Sequence, residues 1–315
     1  MNNEFKFEQF KEDDFSEIEI LAKESGGNIH LNPSRIKHQY FDNPSQSFSL
    51  WKVVKDNKIE GFATTNNFNF LLQGKNISVG MPQNVLVSES SRGKGLFGQL
   101  YNLTERENIV EKGIDTFLTF TNSMSTPIFL SKFGYSNGQC PNLIFYISTI
   151  IFSKKDIKYS CLNNVSELAL YTLDDISQPD NSITKNKGYF LWRYKLYEEK
   201  NLRILKIQSG EKLIGFAILK VEKKKRVSFL LLMDVIQLSN NCMFEIINAC
   251  RNYCARNMFV GLLLFKFSNA SYPNSILKLT FKDRFNFLVK GKSKFDTTEL
   301  SKIEFNFCLG DMDSL

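Results

Sequence analysis

The chain has 315 residues, 43% hydrophobic and 23% charged, a balance that excludes a disordered or fibrous protein and suits two folded domains of ordinary size. The net charge of +7 is spread thinly: the one dense basic run, Lys223-Lys224-Lys225-Arg226, sits between strand-like stretches and reads as a solvated hairpin turn, so no nucleic-acid partner is expected. No stretch reaches the roughly 18 apolar residues of a membrane helix. The N-terminus lacks a signal-peptide pattern, and the 6 cysteines and 2 histidines lack metal-site spacing; a cytoplasmic protein with reduced cysteines, no metal and no membrane partner is expected.

In chain order, residues 5–25 read as a short strand and an amphipathic helix, with Ile18, Leu21 and Ala22 on one face and Gly26-Gly27-Asn28 at its end. The segment 33–41 is closed by Asp42-Asn43-Pro44. Strands are predicted over 47–55 and 58–66, with hairpin chemistry at Asp56-Asn57, and a strand pair over 75–87. A helix over 96–112 follows from Leu96, Leu100, Leu103 and Ile109-Val110, stopped by Gly113. A strand at 116–120, a helix at 125–132 ending at Gly134, and a closing strand at 142–151 complete the half. This order predicts a mixed α/β sheet in which a Gly-rich loop leads from a central strand into a helix.

The second half repeats the pattern. At a shift of 154, His38-x-Tyr40 lies over Trp192-x-Tyr194, and Ile59-Glu60-Gly61-Phe62-Ala63 over Leu213-Ile214-Gly215-Phe216-Ala217. At a shift of 147, Leu118 to Asn122 lies over Phe265 to Asn269. Two tandem domains of one architecture are expected, bounded near 153–165.

The loop Arg92-Gly93-Lys94-Gly95-Leu96-Phe97-Gly98 carries the chemistry. A turn entering a helix leaves backbone N–H groups without partners, and with the helix dipole these form an anion site. Glycines at 93 and 95 let a phosphate approach the backbone, and Arg92 and Lys94 add charge. The spacing is neither that of a P-loop nor, without the first-strand context, that of a dinucleotide fingerprint. Taken alone, the loop is also consistent with a plain Gly-rich turn capping a helix.

Its surroundings narrow the choice. Leu86-Val87, four residues, then Arg92 to Phe97 resembles the acyl-CoA-binding motif of the GNAT superfamily of N-acetyltransferases. Thr116 to Asn122 is similar to that family's fifth strand, and Pro127 to Gly134-Tyr135 to its next helix and closing Gly-aromatic pair. The resemblance implies two tandem GNAT-like domains, each a mixed, mostly antiparallel twisted sheet flanked by helices: residues 1–155 bind acetyl-CoA, and 156–315 form a degenerate copy. It also implies that Leu86 and Val87 pair with the pantetheine arm, that backbone N–H groups from Gly93 to Phe97, including that of Leu96, hold the pyrophosphate beside Arg92 and Lys94, and that Asn122 bonds a pantetheine amide. Two departures stand out. Phe97 replaces the family's Gly or Ala, and Leu130 occupies the position of a Tyr that protonates the leaving thiolate in many members.

Acetyl transfer to an amine needs a polarised thioester, a neutral amine and an exit for a proton. Glu89 and His38 are the candidate general bases, and Tyr40 and Asp42 candidate acceptor-site residues. In the second half, Ser239, Asn240, Asn241 and Cys242 replace Arg92 to Gly95, so no CoA site is expected there. The resulting expectation is an acetyl-CoA-dependent N-acetyltransferase acting on a small-molecule amine, such as an amino sugar or sugar nucleotide, with self-association left open. The alternatives are acetylation of a peptide or protein amine, and a non-catalytic acyl-CoA-binding or assembly protein.

Overall fold

A computed structural model describes residues 4–24, 31–148, 157–173, 176–197, 201–239, 241–267, 271–273, 277–282, 284–293 and 295–312. The helix-ending Gly26-Gly27-Asn28, and Asn240 and Asn269 of the repeat, lie outside these residues. The strands are β1 (Lys6–Gln9), β2 (Phe48–Lys55), β3 (Lys58–Leu72), β4 (Lys75–Val87), β5 (Phe117–Thr121), β6 (Ser136–Asn137), β7 (Leu143–Ile147), β8 (Ile157–Leu162), β9 (Ser182–Ile183), β10 (Leu202–Ser209), β11 (Lys212–Lys224), β12 (Val227–Gln237), β13 (Gly261–Phe265), β14 (Lys278–Phe281) and β15 (Asn286–Lys290). The α-helices are α1 (Phe15–Glu24), α2 (Pro33–Ile36), α3 (Leu96–Val110), α4 (Thr126–Lys132), α5 (Lys187–Tyr194), α6 (Met243–Arg256) and α7 (Thr297–Ser301). None of the described helices is long and apolar enough to cross a membrane.

The chain forms two compact units, and they are not the contiguous halves 1–155 and 156–315. The first comprises 1–70, 76–138 and 286–302; the second comprises 71–75, 139–285 and 303–315. The first sheet runs β1-β2-β3-β4-β5-β15-β6, and the second β14-β7-β13-β12-β11-β10-β8. The order is the same in both, but each takes its sixth strand from the other half of the sequence. The expected closing strand of the first half, β7, pairs antiparallel with β13, while β15 pairs antiparallel with β5. The physical reason is that these short apolar strands have the same two-residue alternation, which specifies a buried partner but not which one.

In the first unit, α1 and α2 pack Ile18, Leu21 and Ile36 against Leu50, Ile59 and Phe62 of β2 and β3. On the other side, Leu96 and Leu100 of α3 meet Val53 and Ala63. Burying side chains of this size stabilises the fold by about 1.5–3 kcal/mol each. The Asp56-Asn57 turn joins β2 and β3, both residues taking positive φ. The expected strand pair over 75–87 is instead one long strand. Its partner is the extended end of β3, and the chain reverses at Gln73-Gly74, where φ is +48° and +73°.

The internal repeat has a structural basis. Asn32 and Asn186, 154 apart, both cap a helix, their side chains accepting from the N–H of Arg35 and Tyr189. Gly61 and Gly215 sit where a β-carbon would lie 2.9 and 2.2 Å from the carbonyl oxygens of Leu86 and Ile236, so both sites exclude a side chain. The helices α3 and α6 start 147 apart, as expected, but β5 and β13 start 144 apart rather than 147. The run Lys223–Arg226 ends β11 at Lys224 and turns into β12 through Lys225-Arg226, with φ +56° at Lys225.

Candidate functional site

The site begins where β4 leaves β5. The two strands run parallel but pair at one register position, Gly80↔Phe117, where Gly80 N–H donates to Thr116 O at 2.9 Å. Gly80 is required there, because a β-carbon would lie 2.7 Å from the Phe117 ring. Among the described residues the last hydrogen bond between the two strands runs from Thr119 Oγ1 to Pro82 O, 2.9 Å. Pro82 has no N–H to contribute to a ladder, and Asn84 takes φ +29°, a kink in the strand. Among the described residues no backbone pairing joins 83–87 to β5, so the strands part there.

Backbone alternation decides which groups face this gap. Leu86 turns its carbonyl toward Gly61 of β3, and Ser88 N–H donates to Glu60 O at 2.8 Å. Val85 and Val87 therefore turn their N–H and C=O groups toward the gap. Leu86, expected to share that role with Val87, faces β3 instead; the kink at Asn84 shifts the alternation by one.

The loop follows directly. A short 3-10 turn (Glu89–Ser91) leads to Arg92, then Gly93 and Gly95 at φ +78° and +76°, where β-carbons would have open space but a strained backbone. Gly95 is the N-cap of α3 and offers no side chain to cap it. The consequence is that the N–H groups from Gly93 through Gly98 have no hydrogen-bond acceptor among the described residues, while Gln99 N–H makes the first bond, to Gly95 O at 3.2 Å. Lys94 lies over the Phe5 ring, 5.4 Å from its centroid, and Arg92 reaches Glu89 at 3.4 Å, both exposed. The Phe97 ring packs between Phe129 and Phe133, centroids 6.0 and 5.9 Å away, which leaves its N–H at the helix start.

Glu60, which the sequence reading missed, organises this loop. Its carboxylate accepts from Ser88 Oγ, from Ser91 Oγ at 2.8 Å and from Ser90 Oγ at 3.4 Å. Burial pushes the carboxyl up, but the hydroxyls of Ser88, Ser91 and Ser90, with nearby Lys58, outweigh it, and its pKa lies below the ordinary value. The run Ser88-x-Ser90-Ser91 and a carboxylate near the start of the strand at 58–66 were the signals available.

The other expected site residues separate into several surroundings. Asn122 Oδ1 accepts from Met124 N–H at 3.0 Å and Ser125 N–H at 2.9 Å, so its oxygen is taken by the turn into α4. Glu89 is exposed beside Arg92. His38 is buried, its Nδ1 3.9 Å from Asp42, and Asp42 accepts from Lys37 at 2.8 Å, which raises the Lys37 pKa. Tyr40, expected in the acceptor wall, is fully buried: its hydroxyl lies 2.7 Å from Thr64 Oγ1 and accepts from Asn84 Nδ2 at 2.9 Å. It supports the kinked residue from beneath because its ring is needed in the core with α1.

No tyrosine of the α3–α4 region replaces the one absent at Leu130, which packs against a core cluster. Tyr101 and Tyr135 bond to each other at 2.7 Å in that cluster. Burial holds both phenols well above their ordinary pKa, with the neighbouring Glu105 adding to it.

The matching region of the second unit is built differently. At the start of α6, Cys242 is buried with Sγ 2.9 Å from Ser239 O. Beyond the last β12–β13 pair, Leu231↔Leu263, residues 308–312 pack against β12. Lys185 bridges Asp234 at 3.0 Å and Asp311 at 2.6 Å, Tyr189 donates to Asp311 and Tyr194 to Asp234, all of them buried.

No family model and no curated protein matches the sequence. Solved structures do match. A GCN5-related N-acetyltransferase from Anabaena variabilis is similar with a TM-score of 0.67 at 14% identity, covering 91% of this chain and 72% of that one. One from Kribbella flavida gives 0.64 at 10% identity, covering 91% and 71%, and Eis1 from Mycobacterium abscessus gives 0.63 at 8%, covering 91% and 73%. The chain has the GNAT fold, in two tandem copies.

Proposed function

We propose that this chain is an acetyl-CoA-dependent N-acetyltransferase with one site, in the first unit, acting on a small amine. The observation that carries this reading is the row of unpartnered N–H groups from Gly93 through Gly98, immediately after the point where β4 leaves β5. Such a row at the start of a 15-residue helix suits a pyrophosphate, and the parted strands suit an extended arm that pairs with backbone. The acetyltransferase neighbours support the same reading.

When bound, acetyl-CoA supplies an activated acetyl thioester. The N–H groups of Gly93 to Phe97, with Leu96 between them, would hold its pyrophosphate, with Arg92 and Lys94 adding charge. Val85 and Val87 would pair with the pantetheine arm, and Asn122 retains only its Nδ2 for that arm. Glu60 keeps the loop in shape. Neither Glu89, solvated beside Arg92, nor His38, buried against Asp42, is well placed as a base, so the amine must arrive largely neutral or lose its proton to water. That favours an amine of low basicity, such as an amino sugar or sugar nucleotide, over a lysine side chain, whose ordinary pKa is about 10.4.

A second reading, a non-catalytic acyl-CoA-binding or assembly protein, is favoured by Leu130 and by the burial of Tyr101 and Tyr135. Free-thiol release from acetyl-CoA, measured across amino sugars, sugar nucleotides, peptides and polyamines, separates the two. Release with an amine supports the enzyme; tight CoA binding with no release from any amine sinks it. The second unit, with Cys242 in place of the loop glycine, is proposed to bind no CoA.

A further inference from the structure

We infer that Gln83 forms an acceptor subsite that recognises a neutral oxygen, a hydroxyl, on the amine substrate; this rests on the acetyltransferase reading and names its substrate class. Gln83 is the first residue of β4 beyond the last hydrogen bond to β5 among the described residues, since Pro82 O still receives Thr119. Its Oε1 accepts from Gln39 Nε2 at 2.9 Å and from Asn66 Nδ2 at 3.0 Å. Its backbone carbonyl accepts from Thr64 Oγ1 at 3.0 Å. The amide orientation is fixed by this network, because Asn66 Nδ2 also donates to the Gln39 carbonyl and so must present N–H, not oxygen, to Gln83.

With both lone pairs of Oε1 occupied, the Gln83 NH2 group points away from its two pins. It has no hydrogen-bond partner among the described residues, and the residue is only half-buried. Gln39 and Asn66, by contrast, are 5% and 1% exposed, so the pins do not move with solvent. The same orientation leaves Asn66 Oδ1 buried without a partner, a cost that flipping Asn66 would relieve only by breaking its bond to Gln39. The fold thus holds two N–H donors beside Gln39, on the β4 residue that follows the Thr119–Pro82 bond. All side chains bonded in this network are uncharged, which suits a hydroxyl rather than a carboxylate or an ammonium group. A polyhydroxylated amine fits this chemistry.

The test uses the full chain with acetyl-CoA and two probes, glucosamine and cyclohexylamine; they differ in amine basicity as well as in hydroxyls, so each is compared between wild type and variant. Loss of the Gln83 donors is expected to lower kcat/KM for glucosamine by about tenfold, the weight of roughly one hydrogen bond. Gln83→Met is expected to act through KM, raised more for glucosamine than for cyclohexylamine. Gln83→Leu, similar in size and without donors, should do the same, and unchanged CoA affinity in both variants separates donor loss from misfolding. In parallel, glucosamine is titrated into 15N-labelled protein while the Gln83 side-chain NH2 resonances, identified by their absence in Gln83→Met, are followed; they are expected to shift. A glucosamine kcat/KM untouched by both variants, or resonances that stay still, overturns the subsite. If neither amine is acetylated, the spectra decide: a shift keeps the subsite, none removes it.

Discussion

Replacing Glu60 with Gln tests whether the carboxylate beneath the loop sets its shape. The substitution keeps the size of the side chain and removes the charge. Two serine hydroxyls, of Ser88 and Ser91, bond the carboxylate closely, while that of Ser90 is at 3.4 Å and contributes little. A charge-assisted hydrogen bond is worth about twice a neutral one, so losing the charge costs about 0.5–1 kcal/mol per bond, or about 1–2 kcal/mol for the pair before solvent screening. Glu60 is half-buried, and about 1 kcal/mol is the figure to expect. If that energy holds the loop in its anion-binding shape, CoA affinity falls by about two- to tenfold. Isothermal titration of CoA into both proteins at pH 7.5 measures it. The pH dependence carries a sign. The folded Glu60 pKa lies below its ordinary value, so the stabilisation is complete above the ordinary value of about 4.3 and is lost as pH falls through the folded one. The Tm difference between wild type and Glu60→Gln should therefore stay constant from pH 8 to 5.5 and shrink below about pH 4. Equal CoA affinity in the two proteins, with equal Tm, refutes the role given to Glu60.

Further expectations are simpler. Tyr101→Phe or Tyr135→Phe each removes a partner from the buried hydroxyl pair and should cost about 1 kcal/mol in urea unfolding; the pH–rate profile should not change, and loss of an alkaline limb would mean that one of them is the acid after all. Lys185→Met leaves Asp234 and Asp311 buried without their cation, and about 3–5 kcal/mol of stability should be lost at pH 7.5. That deficit should narrow at pH 5 as a carboxylate takes up a proton; a loss under about 1 kcal/mol would show that residues 308–312 are held by other contacts.

Much of the first unit was legible because its signals are local. The helix at 96–110 follows from apolar spacing, the turn at 56–57 from Asp-Asn, and the loop from glycines that take positive φ. The repeat at a shift of 154 was visible because Gly61 and Gly215 answer the same close approach of a carbonyl. What escaped depends on distant segments. The exchange of β7 and β15 leaves no trace in periodicity, since either strand satisfies either sheet. Leu86 was assigned to the gap, with Val87, by the family resemblance, and the kink at Asn84, which moves every later residue by one, is not encoded in the apolar pattern. Pro82 was the missed hint: a proline inside a strand marks where pairing ends. Glu60 and Gln83 read as ordinary polar strand residues, and their roles appear only when Ser88, Ser91, Gln39 and Asn66 are brought beside them.

The central claim is that one CoA site exists per chain and is made by the loop at 92–98. The most direct measurement is the stoichiometry of CoA binding to wild type and to Gly95→Glu, which sets a carboxylate and a strained φ of +76° at the N-cap of α3. The account predicts one CoA per wild-type chain and no detectable binding to a folded Gly95→Glu protein. Binding that survives the substitution, or two CoA molecules per chain, would contradict it.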